Sequence, residues 1–224
     1  MSAVLVVLGS LGALYIAAVS LLWLAQPHIV FQPGLSGDRV AHTPDEAGLA
    51  YESVRISTGD ENTLSGWLVE GPGPDAPTVL FFHGNAGNIG DRIGSLVQLH
   101  QAGARVLIID YRGYGHSDGR PSEQGTYVDA RAAWDHLVDA RGIPPDEIVL
   151  FGRSLGGAIA AQLATRVRPA GLVLESTFTS APELAADHYP WVPARWLTRY
   201  GYRTEEALRQ VTCPVMIAHA RGDT

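Results

Sequence analysis

One serine in this sequence lies between glycines at a spacing that suits a nucleophile. The stretch FGRSLGG, residues 151–157, contains the pattern Gly-x-Ser-x-Gly with Ser154 at its centre. Apolar residues precede the serine and an Ala-rich segment follows it, which predicts a strand, a sharp turn and a helix. Such a turn holds a serine in a strained conformation, and the helix N-terminus favours developing negative charge. We therefore predict that Ser154 is a nucleophile; the alternative is a serine that caps the helix.

A second Gly-rich stretch, FFHGNAGN at residues 81–88, could supply hydrogen-bond donors to the same reaction. An enzyme that transfers acyl groups must stabilise an oxyanion with preorganised donors. The backbone N–H of Leu155, directly after the serine, is one candidate. We predict that the N–H of Asn85 is the second, with Ala86 as the less favoured choice. His83 is expected to hold this loop in place and not to carry a proton.

The elements that must position these residues alternate between strands and helices. The predicted strands are the apolar runs TVLFFHG, RVLIIDYRG, EIVLFG, GLVLES and PVMIAHA, with helical segments between them at 91–102, 125–141 and 155–167. This order predicts an α/β fold with a mostly parallel sheet and helices on both faces. Two short strands within residues 51–70 predict an antiparallel hairpin at one edge. The aromatic segment 181–210 is interrupted by prolines, which predicts short helices and a small lid.

The first residues indicate a membrane segment. From Ser2 to Gln26 there is no Asp, Glu, Lys, Arg or His, and the apolar run is long enough to cross a bilayer as a helix. A cleaved signal peptide is the alternative, but no basic residue precedes the run, and the run is long for a signal. We predict a transmembrane anchor at 1–26, a tether at 27–50 and the folded domain at 51–224. Because the first positive charge is Arg39, the positive-inside rule favours a cytoplasmic domain.

Composition argues against several other functions. The net charge of −7 disfavours nucleic-acid binding, which requires a basic face. The single cysteine, Cys213, excludes an internal disulfide and any metal site built from cysteines. No group of His or carboxylate residues has metal-ligand spacing, and the glycines lack the Gly-Lys-Ser/Thr of a phosphate-binding loop. We therefore expect neither a metal nor another cofactor.

Taken together, the motifs resemble those of the α/β-hydrolase superfamily, in particular the membrane-anchored, lid-poor serine hydrolases of the alpha/beta hydrolase domain-containing type. The resemblance covers residues 30–224 and includes, in order, IVFQPG, HGNAGN, DYRGYGHSDGRPSE, GRSLGG, ESTFTS and PVMIAHARGD. That group includes depalmitoylating thioesterases and lysophospholipid lipases. The resemblance implies a serine hydrolase that cleaves ester or thioester bonds at a membrane surface. Its expected substrates are small molecules, lipids or acylated proteins.

The resemblance also implies a catalytic triad in the chain order Ser, Asp, His. Asp223 aligns with the acid, which would orient the histidine and stabilise its imidazolium. None of the eight histidines in the sequence occupies the position of the general base. We expect that histidine, with the last strand and helix of the domain, to lie beyond Thr224; without it residues 1–224 would lack a complete triad. The alternatives are a non-catalytic, membrane-anchored binding protein, or a peptidase or amidase of the same fold.

The motif DYRGYGHSDGRPSE is expected to shape the loop beside the site. Arg112 and Glu123 could form buried ion pairs, and Tyr111 or Tyr114 could touch the substrate. Asp129, on the helix that follows, is expected on a solvated face.

Overall fold

A seven-stranded sheet forms the centre of the computed structural model, which describes residues 2–35, 37 and 40–220. The strands are β1 Tyr51–Ser57, β2 Thr63–Val69, β3 Thr78–Phe82, β4 Arg105–Ile109, β5 Ile148–Arg153, β6 Gly171–Glu175 and β7 Val215–Ala218. Their order across the sheet is β1-β2-β4-β3-β5-β6-β7. β2 pairs antiparallel with both β1 and β4, and all later pairings are parallel. The predicted mostly parallel sheet with a hairpin at one edge is therefore confirmed.

Helices cover both faces of this sheet. The helices of the described residues are α1 Ser2–Val30, α2 Ile93–Gln101, α3 Glu123–Asp135, α4 Leu155–Ala164, α5 Ala181–His188, α6 Ala194–Leu197 and α7 Thr204–Leu208. Short 3₁₀ turns lie at Pro44–Ala47, Ile89–Arg92 and Pro145–Glu147, and a π turn at His136–Ala140. Successive side chains of a strand point to opposite faces. Leu80 and Phe82 of β3 accordingly pack with α3, α4 and α7, whereas Val79 and Phe81 pack with Leu96 of α2.

Helix α1 extends farther than the predicted anchor. It runs to Val30 and passes through Pro27, beyond the predicted end at Gln26. Proline in a helix removes one backbone hydrogen bond to the preceding turn. Here it lies in the last turn, where the helix continues because Ile29 and Val30 pack against the domain. Within the described residues, one helix, Ala3–Val30, is long and apolar enough to cross a membrane by length and composition.

Several of the described residues in the predicted tether, between α1 and β1, pack on the domain. Phe31 is buried, and its ring meets that of Tyr200 edge to face at 5.3 Å. Gln32 forms a parallel bridge with Ala86, in the loop after β3. Leu49 belongs to the hydrophobic core on the α2 face. The predicted boundary at residue 51 therefore separates residues that share one core, because scattered apolar side chains in a Pro- and Gly-rich stretch give no periodic signal.

Between β6 and β7 the chain forms only the short helices that the sequence predicts. Ser180 accepts a hydrogen bond from the N–H of Glu183 and begins α5. Pro190 and Pro193 separate α5 from α6, because proline cannot continue a helix. We call residues 181–199 the cap segment. Several of its side chains form a wall of the pocket described below.

Candidate active site

Ser154 lies in a strained turn between β5 and α4. Its backbone angles are φ 54° and ψ −119°, a region that residues other than glycine rarely adopt. The Ser154 N–H donates to the carbonyl of Glu175 over 2.9 Å, and its own carbonyl accepts from the Thr177 hydroxyl over 2.8 Å and the Gly157 N–H over 2.9 Å. These bonds hold the strained residue from both sides. The predicted strand–turn–helix geometry is present.

The glycines around Ser154 are required by close backbone contacts. A Cβ on Gly156 would overlap the carbonyl groups of Phe82 and His83, and a Cβ on Gly152 would overlap the backbone at Gly156. These atoms belong to the backbone and cannot rotate aside. The start of α4 therefore lies directly against the end of β3. This contact sets the distance between the serine and the loop that follows β3.

The motif ESTFTS supports the same turn. Glu175 forms an ion pair of 2.7 Å with Arg153, whose guanidinium lies 5.9 Å from the centre of the Phe81 ring. The carbonyl of Glu175 and the hydroxyl of Thr177 both bond the backbone of Ser154. The motif therefore contributes structural residues beside the serine. From the sequence alone, this motif indicates only the resemblance to the α/β-hydrolase superfamily.

Hydrogen bonds to two carbonyl groups of the loop after β3 orient the N–H groups of the same two peptides. The Asn85 carbonyl accepts from the Tyr114 hydroxyl over 2.9 Å and from the Gln32 N–H over 3.1 Å. The Gly84 carbonyl accepts from Nδ1 of His83 over 2.7 Å. In a trans peptide the carbonyl and the N–H point in opposite directions. The N–H groups of Asn85 and Ala86, both predicted as possible donors, are therefore oriented by bonds on the far side of their peptides.

A buried polar layer lies beneath this loop. His83 is fully buried, and burial, with a contribution from the Arg92 charge, lowers the pKa of its imidazole to about 3. The Asp110 carboxylate lies 3.8 Å from Nε2 of His83 and accepts from the Ile89 N–H over 2.9 Å. Burial raises the pKa of Asp110 to about 7. His83 is thus neutral at physiological pH, which agrees with the predicted supporting role.

Ser154, Leu155 and Asn85 line one pocket of about 410 Å³. Its remaining walls are mostly apolar and come from α1 and from the cap segment. The α1 residues include Val19, Leu22 and Trp23. Binding pockets for small molecules usually measure about 300–1,000 Å³ and are mainly apolar with a few placed polar groups. The structure therefore brings three of the four predicted site residues to a pocket of suitable size and character.

Comparison with known proteins identifies the fold. A family model described as alpha/beta hydrolase fold matches residues 77–222. The chain belongs to the alpha/beta hydrolase fold family. It is 35% identical to the alpha/beta hydrolase domain-containing protein WAV2 of Arabidopsis thaliana, over 95% of this chain and 75% of that protein. It is 37% identical to the uncharacterized membrane protein YNL320W of Saccharomyces cerevisiae, over 82% of this chain and 66% of that protein.

Among solved structures, the chain is similar to an alpha-beta hydrolase from Vibrio vulnificus. The TM-score is 0.67 and the identity 28%, over 77% of this chain and 64% of the other. Family membership supports a hydrolase, and the resemblance inferred from the motifs is confirmed. The N-terminal apolar helix fits a membrane anchor, in line with the name of the yeast relative.

The fourth predicted site residue, Asp223, lies outside the described residues. β7, which precedes it, pairs in parallel with β6, and the Ser176 N–H donates to the Ala218 carbonyl over 2.9 Å. The carboxyl ends of β5, β6 and β7 therefore meet at one edge of the sheet, the edge that carries Ser154. His188 lines the pocket, and its Nδ1 bonds the Leu184 carbonyl of its own helix over 2.9 Å.

Two expectations for the motif DYRGYGHSDGRPSE and the helix after it need correction. Asp129 is buried, not solvated, and pairs with Arg112 over 2.7 Å. Arg112 does not pair with Glu123, whose carboxylate instead accepts from the N–H groups of residues 201 and 202. Tyr111 and Tyr114 are buried and bond loop carbonyls. A planar guanidinium between two carboxylates explains the burial of Asp129, since Asp60 takes the other side of Arg112 at 2.7 Å.

Sequence reasoning missed the part that α1 takes in the site. Its apolar composition indicates a membrane segment and carries no sign of a second role. The contact depends on where the cap segment folds, which a pattern of hydrophobicity along α1 does not specify. Gln26 is a visible hint, a polar side chain within the helix that bonds the Leu197 carbonyl of the cap segment over 3.0 Å.

The close approach of α4 to β3 predicts that Gly156→Ala is destabilising. The added methyl group would press on the carbonyl groups of Phe82 and His83, so we expect a loss of about 2–3 kcal/mol or more in unfolding free energy. Gly94→Ala, in α2 with open space around it, is the matched control and should be neutral or stabilising by up to about 1 kcal/mol. Denaturant unfolding of both variants tests this. Equal stability of the two would contradict the packing described.

The raised pKa of Asp110 predicts a pH dependence of stability. Between the ordinary aspartate value near 3.8 and about 7, the native carboxyl keeps a proton that the unfolded chain has released. Stability therefore falls as the pH rises through this window. Asp110→Asn should remove that decline, so that the difference in unfolding free energy between wild type and variant changes by on the order of 2–3 kcal/mol between pH 5 and 8. A difference that stays constant with pH would refute the assignment.

Proposed function

We propose that this protein is a serine hydrolase that cleaves carboxylic ester or thioester bonds through an acyl-enzyme on Ser154. The observation that carries the proposal is the shared pocket of Ser154, Leu155 and Asn85, with the serine in a strained turn at the start of α4. Acyl transfer requires a position for the reacting carbonyl that lies about 3 Å from both the nucleophile and the oxyanion donors. The proposal accounts for all three predicted residues that line the pocket.

In the proposed reaction the Ser154 hydroxyl oxygen attacks the carbonyl carbon while a histidine accepts its proton. The carbonyl oxygen becomes an oxyanion, which the N–H groups of Leu155 and Asn85 stabilise. The C–O or C–S bond then breaks, and the alcohol or thiol leaves with the proton held by the histidine. Water then attacks the acyl-enzyme by the same steps, which releases the carboxylic acid and restores the Ser154 hydroxyl. Asp223 would orient the histidine that serves as the general base.

The surroundings favour this chemistry. The N-terminus of α4 carries a partial positive charge next to Ser154, which stabilises an oxyanion. Mostly apolar walls exclude water, and hydrogen bonds to developing charge are stronger in such a site. The neutral His83 below the loop adds no competing charge. These features support an acyl-transfer role for the pocket.

The proposed substrates are acyl groups presented at a membrane surface, on a lipid, a small molecule or an acylated protein. Two features support this class: the apolar pocket suits a hydrocarbon chain, and α1, which fits a membrane anchor, forms part of its wall. The same helix therefore supports both the proposed membrane location and the proposed substrate class.

Replacement of Ser154 tests the nucleophile. In the full-length protein Ser154→Ala should abolish covalent labelling by a fluorophosphonate, because the reagent reacts with an activated serine hydroxyl. Ser57→Ala, an exposed serine at the end of β1, is the control and should label like wild type. Labelling is read by gel fluorescence or intact mass. Persistent labelling of Ser154→Ala would place the nucleophile elsewhere, and an unlabelled wild type would favour a binding role.

Replacement of adjacent α1 residues tests the proposed acyl pocket. Leu22 lines the pocket, whereas the neighbouring Leu21 is 70% exposed. Leu22→Trp should lower kcat/KM for a long-chain ester by on the order of tenfold, about 1.4 kcal/mol of transition-state binding, and affect an acetyl ester much less. Leu21→Trp should leave both rates near wild type. Equal effects of the two variants, or equal effects on both esters, would show that α1 does not contact the acyl chain.

A further inference from the structure

Helix α1 and the cap segment lie side by side over a considerable length. Near the middle of α1 the Tyr15 hydroxyl donates to the Trp191 carbonyl over 3.2 Å. Near its end the Gln26 carboxamide accepts from the Arg199 N–H over 2.8 Å, and the Arg199 guanidinium lies 4.7 Å from the centre of the Trp23 ring. Tyr15 and Gln26 are about 16 Å apart along the helix at 1.5 Å per residue. The cap segment therefore accompanies α1 over roughly half of a bilayer's hydrocarbon thickness.

The part of α1 that is free of the domain is too short to span a bilayer. Residues 2–14, before the first cap contact, measure about 20 Å, whereas a hydrocarbon core is about 30 Å thick. Tilting the helix would only shorten its projection across the membrane. If α1 crosses the bilayer, the hydrocarbon must extend past Tyr15 along the helix. The cap segment lies at that same level.

The uncovered face of α1 indicates how far the hydrocarbon extends. Ile16 is 65% exposed, Leu21 70% and Leu24 62%, although all three lie in the part of the helix that accompanies the cap segment. The domain leaves this face uncovered, and contact with lipid would remove these side chains from water. Gln26, just after them, bonds the cap segment through its carboxamide. Lipid contact on this face of α1 is thus expected to extend as far as Leu24.

The cap segment has a surface suited to that level. Trp196 is 89% exposed and Trp191 54%, and Leu184 is exposed as well. Tryptophan is enriched where membrane meets water, because its ring is apolar and its N–H is polar. Glu183 and Arg195 pair with each other at 2.7 Å, so these two charges of the segment enter the interface as a neutral pair. Arg199 reaches the level of Trp23, where its guanidinium can meet lipid headgroups.

We infer that the cap segment is embedded in one leaflet of the bilayer beside α1, with Trp191 and Trp196 among the acyl chains or just below the headgroups. The phospholipid leaflet itself covers the exposed apolar surface of the cap segment. The pocket that contains Ser154 has walls from both α1 and the cap segment. Its acyl-binding end therefore adjoins the leaflet, and an acyl chain can reach it without crossing water. This last consequence rests on the proposed function; the embedding itself does not.

Depth-dependent quenching tests the embedding. In the full-length protein Cys213→Ser provides a background in which Trp196→Cys is labelled with an environment-sensitive fluorophore. Asp146→Cys is the matched control, since this exposed residue precedes β5 at the end of the strand opposite Ser154. Both proteins are placed in nanodiscs of pure phospholipid with nitroxide groups at known acyl-chain depths. We expect several-fold stronger quenching at position 196 than at position 146, and a blue-shifted emission.

Equal quenching and equally water-like emission at the two positions would overturn the inference. So would shielding of position 196 that requires native membranes and is absent in pure phospholipid, because a protein partner would then cover the segment. The same measurement on Ser154→Ala separates this result from the chemistry. Quenching that persists in an inactive protein supports the embedding, and a hydrolase without quenching refutes it while leaving the reaction at Ser154 intact.

Discussion

The site depends on one close contact, the approach of the start of α4 to the end of β3. Gly156 leaves no room for a side chain against the carbonyl groups of Phe82 and His83. Because β3 and β5 are parallel neighbours, both end at the same edge of the sheet, and the turn after β5 meets the loop after β3. The strained φ of Ser154 is the local consequence of turning the chain so sharply there. The proposed nucleophile, Ser154, and the predicted oxyanion donors are therefore arranged by the packing of backbone on backbone.

This contact requires a rigid loop, and the polar layer below β3 supplies it. His83, Asp110 and Tyr111 are buried, and burial of polar groups destabilises a protein unless they are hydrogen-bonded or neutral. Each either bonds a backbone group of the loop or is held close to its neutral form. Exchanging His83 or Tyr111 for an apolar residue would leave a loop carbonyl without its donor, and exchanging Asp110 would leave the Ile89 N–H without its acceptor. The layer thus helps to fix the position of the predicted oxyanion donors.

Residues whose roles are local could be predicted from the sequence. Apolar runs and the glycines next to them indicate the strands of the sheet, the turn at Ser154 and the loop after β3. The burial of Asp129 could not be predicted, because it depends on Arg112 reaching across from a different loop. The packing of Phe31 and the wall formed by α1 were missed for the same reason, since both depend on how the chain between β6 and β7 folds. The environment of these residues is set by contacts with residues far away in the sequence, and not by local secondary-structure propensity.

Helix α1 and the loop after β3 are joined by very little chain. α1 ends at Val30, Phe31 enters the core, and Gln32 already bonds the Asn85 carbonyl and the Gly87 N–H. A displacement of α1 would therefore act on the peptide that carries a predicted oxyanion donor, with two residues to absorb it. In most enzymes an anchor can be exchanged without effect on chemistry, because a flexible linker separates the two. Here Phe31 and Gln32 leave no such freedom, so the orientation of the helix and the geometry of the loop should change together.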